Sequence, residues 1–142
     1  MPKILIVDDS RLVRLTIKTI LQRADGFEVV GEAENGREGV DMAKELNPDV
    51  VTLDIEMPVM NGIECLRRLR ILCPAKVVVL SSLTHPASPK AVEARLVGAD
   101  AVIGKPSGSV SRDVDASGGD LLVSTIRRLL GTDATRLREA AS

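Results

Sequence analysis

Aromatic residues are almost absent from this sequence of 142 residues, which has one Phe and neither Tyr nor Trp. Proteins that bind single-stranded nucleic acid stack bases on aromatic side chains, so the platforms for that kind of binding are missing. An excess of charge of one sign is missing too, because 19 Lys and Arg face 20 Asp and Glu. We therefore expect no binding to nucleic acid, and any function based on charge must be local.

Long apolar runs are also absent. The run from Ile4 to Val7 stops at two aspartates, far short of a signal-peptide core, and no other run approaches the length of a membrane span. The two cysteines, Cys65 and Cys73, form no C-x-x-C pair, so we interpret them as reduced packing residues. These absences predict a cytoplasmic protein without membrane insertion.

Several enzyme signatures are missing as well. The first strand runs into DDSR and not into G-x-G-x-x-G or G-x-x-x-x-G-K, which argues against a dinucleotide enzyme or a P-loop NTPase. The single histidine, His85, lies in the sequence THP, and no G-x-S-x-G elbow accompanies it. A Ser-His-Asp triad is therefore not predicted in this chain.

Short apolar runs alternate with stretches of helical periodicity along the chain, which is long enough for one domain. The predicted strands are Lys3 to Val7, Phe27 to Ala33, Asp49 to Leu53, Lys76 to Leu80 and Ala101 to Gly104. This alternation predicts an α/β protein with a single doubly wound five-stranded parallel sheet. The second strand has no polar cluster at its end and is placed at an edge, which favours the flavodoxin-like order 2-1-3-4-5.

A stretch of small and polar residues, Ser107 to Gly119, separates the fifth strand from the last predicted helix. It is longer than most helix connections, so we interpret it as a loop where another domain or partner could dock. Residues 1–131 form the predicted domain. Residues 132–142 are interpreted as a C-terminal tail or as the start of an interdomain linker.

Polar residues follow four of the five predicted strands, at the sheet edge where ligands bind in open parallel sheets. They are Asp8, Asp9 and Ser10 after the first strand, Asp54 after the third, Ser81 and Ser82 after the fourth, and Lys105 after the fifth. Clustered carboxylates repel one another unless a cation lies between them, and oxygen ligands favour Mg²⁺. With a lysine and a hydroxyl added, the set fits a phosphoryl group, and an aspartate could form an acyl phosphate with it.

Each of these residues also has a simpler interpretation when it is taken alone. Asp8 or Asp9 could cap the following helix, and Asp54 could cap a helix or stabilise a turn. Lys105 could be a solvated charge, and the Ser81 hydroxyl could bond to backbone. Only a shared site explains why four strand ends each supply a residue suited to binding a metal ion or a phosphoryl group.

Four segments together resemble the receiver domain of bacterial response regulators: ILIVDDSRLVR, VVTLDIEMPVMNG, VVVLSSLT and GKP. The resemblance implies that Asp54 is the phosphoacceptor and that a histidine kinase is the phosphoryl donor. It also implies that Asp9 binds Mg²⁺ directly, that Asp8 acts more through water, and that Glu56 offers its backbone carbonyl to the metal.

The same resemblance implies that Ser81 is the hydroxyl that turns toward the phosphoryl group and that Lys105 contacts that group. Val102 stands where receivers usually carry an aromatic residue, so signalling by rotation of an aromatic ring is not expected. The residues of these four segments are most similar to those of the N-terminal receiver of chemotaxis protein-glutamate methylesterases. The resemblance thus implies a chemotaxis-type kinase as partner and a C-terminal methylesterase domain or other effector.

Two other functions remain open at this point. One is a stand-alone receiver or an adaptor that never takes phosphate. The other is a Mg²⁺-dependent phosphohydrolase of the haloacid dehalogenase type, which also uses a nucleophilic aspartate. In such enzymes the nucleophile follows the first strand in a D-x-D pattern, whereas here the acidic pair comes first and DIE replaces D-x-D.

Overall fold

The computed structural model describes residues 1–57, 60–81, 88–106 and 112–131, with the backbone alone for residues 112–118. Its strands are β1 (Lys3–Val7), β2 (Glu28–Ala33), β3 (Val50–Asp54), β4 (Lys76–Ser81) and β5 (Ala101–Gly104). Its helices are α1 (Arg11–Ala24), α2 (Gly36–Leu46), α3 (Gly62–Leu72), α4 (Pro89–Val97) and α5 (Arg112–Leu130). Across the part of the chain that is described, no helix is long and apolar enough to cross a membrane.

The five strands form one parallel sheet in the order β2-β1-β3-β4-β5, which confirms the predicted fold. One face is covered by α2, α3 and α4, and the other by α1 and α5. Each face has its own cluster of buried apolar side chains, which explains why the strands are apolar on both sides. Since β1 and β3 are neighbours at the centre, the ends of these two strands lie side by side.

Polar side chains just before four of the helices fix where those helices begin. Ser10, Asn35, Asn61 and Ser88 each accept a hydrogen bond from the backbone N–H three residues further on. Such caps satisfy an N–H group that has no partner within the helix. Because Ser10 caps α1, neither Asp8 nor Asp9 serves as its N-cap residue.

The last helix begins earlier than the sequence predicts. We expected a loop through Gly119, but α5 is helical from Arg112. Gly119 is buried, and a Cβ atom at this position would lie 3.4 Å from the side chain of Ile20 on α1. Packing against α1 outweighs the low helix propensity of the Ser-Gly-Gly sequence, so the predicted loop is too long. Residues 107–111 and the predicted tail, 132–142, lie outside the described residues.

Gly62, the first residue of α3, lets this helix start directly beneath the end of β3. Its N–H donates to the carbonyl of Ile55 at 3.1 Å, and a Cβ atom here would overlap the carbonyl oxygen of Asp54 and the Cα of Ile55. The close approach of these two backbones helps to fix Asp54. A side chain at position 62 would therefore have to displace the end of β3.

We expect Gly62→Ala to lower the free energy of unfolding by about 1–3 kcal/mol, because the methyl group overpacks the β3–α3 connection. Gly119→Ala is the matched control, since its methyl group meets only ordinary contacts inside a helix. That change should raise stability by about 0.5–1 kcal/mol. Urea unfolding of both variants measures the difference, and equal effects would contradict this account of Gly62.

Candidate functional site

Lys105 brings the ends of three strands together. Its Nζ lies 3.0 Å from Oδ2 of Asp54 and 3.4 Å from Oδ2 of Asp8. Two strand spacings, about 10 Å, separate β5 from β3, so a side chain as long as lysine is needed to reach across β4. Both carboxyl groups are fully buried and the lysine side chain is only 17% exposed. Lys105 is therefore not a solvated surface charge.

The carboxyl group of Asp54 has two different oxygens. Its Oδ1 accepts a hydrogen bond from the backbone N–H of Glu56 at 2.9 Å, which is the local turn that the simpler interpretation expected. Its Oδ2 is paired with Lys105 and accepts no hydrogen bond of good geometry from the described residues. One oxygen thus orients the group, while the other keeps lone pairs that could accept a ligand.

Asp8 is held by its backbone as well as by its side chain. Its N–H donates to the carbonyl of Ala33 at 3.0 Å, and its Oδ1 accepts from the N–H of Ser10 at 2.8 Å. Its carbonyl oxygen accepts from Nη1 of Arg14 at 2.7 Å. The Oδ2 atom, like that of Asp54, accepts no hydrogen bond of good geometry within the described part of the chain.

Asp9 completes an acidic cluster with these two residues. One carboxylate oxygen from each of Asp8, Asp9 and Asp54 lies within 4.8 Å of the others. Mg²⁺ binds oxygen ligands at about 2.1 Å, so neighbouring ligands lie about 3 Å apart and these side chains would have to approach one another to coordinate one ion directly. Oxygen donors, two of them buried and without a hydrogen bond from the described residues, are the chemistry that a hard divalent cation requires.

The positive charge of Lys105 does not offset the effect of burial on the acidic groups of the cluster. Burial raises the pKa of Asp54 to about 7 from an ordinary 3.8, and the negative charge of Asp8 adds to the rise, against the opposing effects of the Glu56 N–H and Lys105. Burial likewise raises the pKa of Asp8. Burial alone would lower the pKa of Lys105, but its pairs with Asp54 and Asp8 outweigh that effect and raise it. An additional cation would therefore be stabilised here.

Ser81 and Glu56 lie at the edge of this cluster. Ser81 is the last residue of β4 and is buried, and its carbonyl accepts from the N–H of Lys105 at 2.9 Å. Glu56 is two residues beyond Asp54 and contacts it through the N–H already described. The roles of the Ser81 hydroxyl and the Glu56 carbonyl stay predictions. Ser82 and His85 lie outside the described residues.

Val102 on β5 lies opposite Val79 of β4 and packs against the core beneath α3 and α4. No aromatic ring is present at this position to rotate between two environments.

No role for Arg14 was predicted from the sequence, although its place among the buried residues of α1 is a signal. Arg14 precedes Ile17 and Leu21 on the buried stripe of α1, and a charge on such a stripe needs a partner.

Comparison with known proteins places the chain among signalling domains. The family model of the response regulator receiver domain matches residues 4–111. A curated relative, the protein-glutamate methylesterase/protein-glutamine glutaminase of Halalkalibacterium halodurans, is 43% identical over 87% of this chain and 36% of that protein. The chain spans only 33–39% of the length of the first three curated relatives that it matches.

Two solved structures share both fold and sequence with the chain. The response regulator domain of Thermotoga maritima CheB is 39% identical, with 94% of this chain and 98% of that one covered and a TM-score of 0.84. A chain in the structure of the P1 domain of CheA3 in complex with CheY6 from R. sphaeroides is 41% identical. In that case 93% and 98% of the two chains are covered, and the TM-score is 0.73.

The raised pKa of Asp54 predicts how stability depends on pH in the presence of a chelator. Between about pH 4 and about pH 7 the native state binds more protons than the unfolded state, so stability should fall as pH rises through this window. Asp8 contributes in the same direction. The raised pKa of Lys105 lies outside the window, because its stabilisation is lost only above its ordinary value of 10.5.

Asp54→Asn removes this titration, so the variant should gain stability relative to the wild type as pH rises from about 5 to about 8. Asp41→Asn, at an exposed position on α2, is the matched control and should follow the wild type. Urea unfolding at both pH values measures the change. A constant difference between Asp54→Asn and the wild type would contradict the raised pKa.

Proposed function

This chain belongs to the response regulator receiver family, and from that membership we propose that it is a phosphorylation-controlled regulatory domain in which Asp54 accepts a phosphoryl group from a histidine kinase. The observation that carries the proposal is the Asp54 carboxyl group beside Lys105, with one oxygen oriented by a backbone N–H and the other without a hydrogen bond among the described residues.

The two oxygens of Asp54 suit the two needs of a nucleophile. The bond from Glu56 N–H to Oδ1 fixes the plane of the carboxyl group, so Oδ2 can attack in a defined direction. Attack by Oδ2 forms an O–P bond as the P–N bond to the donor histidine breaks. The product is an acyl phosphate on Asp54, and the histidine leaves with its nitrogen lone pair.

The neighbouring residues then neutralise and contact the phosphoryl group. Lys105, already 3.0 Å from Oδ2, can pair with a phosphoryl oxygen, and the Ser81 hydroxyl can donate to another. Asp8, Asp9, Asp54 and the Glu56 carbonyl would hold Mg²⁺. When bound, the metal supplies positive charge for the phosphoryl oxygens.

We infer that the signal leaves the site through Ser81 and Lys105, since Ser81 ends β4 and Lys105 directly follows β5. Movement of the Ser81 hydroxyl toward a phosphoryl group would shift the start of α4, while Lys105 ties the same group to β5. With Val102 in place of an aromatic residue, such a change would alter the face formed by α4, β5 and α5 without a ring rotation.

The parent protein is proposed to be a chemotaxis protein-glutamate methylesterase, with residues 1–131 as its receiver and residues 132–142 as a tail or linker. The curated relatives that bear this name, and of which the chain covers about a third, support the proposal. Likeness to a chain crystallised with the P1 domain of CheA3 supports a chemotaxis-type kinase as the donor. The methylesterase activity itself is assigned to the remaining part of such a protein.

Incubation with Mg²⁺ and a small acyl phosphate such as acetyl phosphate should add one phosphoryl group to the wild-type protein, as intact mass spectrometry would detect. Asp54→Asn should abolish the addition because it removes the nucleophile, and Lys105→Met should slow it. Asp41→Asn should react like the wild type. Equal labelling of Asp54→Asn would reject Asp54 as the acceptor.

A further inference from the structure

Arg14 on α1 contacts the acidic site through the backbone of Asp8. Its Nη1 donates to the backbone carbonyl of Asp8 at 2.7 Å, whereas the Asp8 carboxyl group pairs with Lys105. The Arg14 side chain is only 13% exposed. A guanidinium so far removed from solvent needs partners for its charge and for its N–H groups.

Glu32 on β2 supplies the partner for that charge. Its Oε1 lies 3.4 Å from Nε of Arg14, and its Oε2 lies 3.4 Å from Nζ of Lys18, one turn further along α1. The carboxylate is therefore held between two cations of the same helix. A connected set of contacts runs from the edge strand through Arg14 to the loop that carries Asp8 and Asp9.

Asp8 is fixed on both sides of its peptide backbone by these elements. The β2 strand accepts its N–H through Ala33, and Arg14 donates to its carbonyl. Since the Asp8 carbonyl belongs to the peptide that leads into Asp9, the guanidinium also limits where Asp9 can point. Without Arg14, the Asp8 carbonyl would lose this donor, while the contacts of Asp8 with Ala33, Ser10 and Lys105 would remain.

We propose that Arg14 is a positioning residue for the Mg²⁺ site, in which the Glu32–Arg14 pair holds the Asp8–Asp9 peptide so that both carboxylates face Asp54. This inference rests on the proposed function of the acidic cluster. Two effects of Arg14 oppose each other here. Its positive charge repels a metal ion, whereas its hydrogen bond preorganises the ligands, and the short, partly buried contact to the Asp8 carbonyl makes preorganisation the larger effect.

Titration calorimetry with Mg²⁺ distinguishes these effects by sign. Arg14→Gln should weaken Mg²⁺ binding about tenfold, as loss of an outer contact to metal ligands does. Glu32→Gln should weaken binding by a smaller factor, because the bond from Arg14 to the Asp8 carbonyl remains. Arg23→Gln removes the same charge from an exposed position on α1 and should leave the affinity unchanged.

The outcomes separate this inference from the proposed function. Absence of Mg²⁺ binding by the wild type would reject the proposed metal site itself. Binding by the wild type together with equal or tighter binding by Arg14→Gln would overturn the positioning role alone. If urea unfolding shows that Arg14→Gln is not folded, Arg14→Lys decides the matter, because an ammonium group cannot bond both partners in the geometry of the guanidinium. Weaker binding by Arg14→Lys supports the role, and wild-type affinity overturns it.

Discussion

Lys105 is shared by two buried carboxyl groups, and this unequal pairing governs the rest of the site. The sheet order places β1 beside β3, so Asp8 and Asp54 meet at the centre, while Lys105 reaches them from the far side of β4. One cation cannot neutralise two buried carboxylates and the adjacent Asp9. The fold therefore maintains a local excess of negative charge, which burial makes costly until a proton or a further cation is bound.

The surrounding elements keep the acidic cluster in place. Gly62 brings α3 against the end of β3, and the Glu56 N–H orients Asp54. Arg14 and Ser10 hold Asp8 from the side of α1. Burial raises the pKa of Asp54, and one of its oxygens accepts no hydrogen bond from the described residues, so the site exchanges stability for the capacity to bind a proton or a cation.

Much of this arrangement could be predicted from the sequence. Apolar runs at regular intervals gave the strands, and the parallel sheet then required that Asp8, Asp54 and Lys105 meet at one edge. The start of α5 could not be predicted, because the close approach of Gly119 to Ile20 on α1 is a tertiary contact that local sequence does not show. A charge on the buried stripe of α1 could have singled out Arg14, but not its partner, since a backbone acceptor such as the Asp8 carbonyl leaves no mark on residue identity.

The dependence of stability on Mg²⁺ tests most directly whether the cluster lacks a cation. With Mg²⁺ at about 100 times its dissociation constant, the wild-type protein should gain roughly 2.7 kcal/mol in its free energy of unfolding. Asp54→Asn, which removes one ligand and one charge, should gain less at the same concentration. An unfolding free energy of the wild type that does not change with millimolar Mg²⁺ would contradict the account.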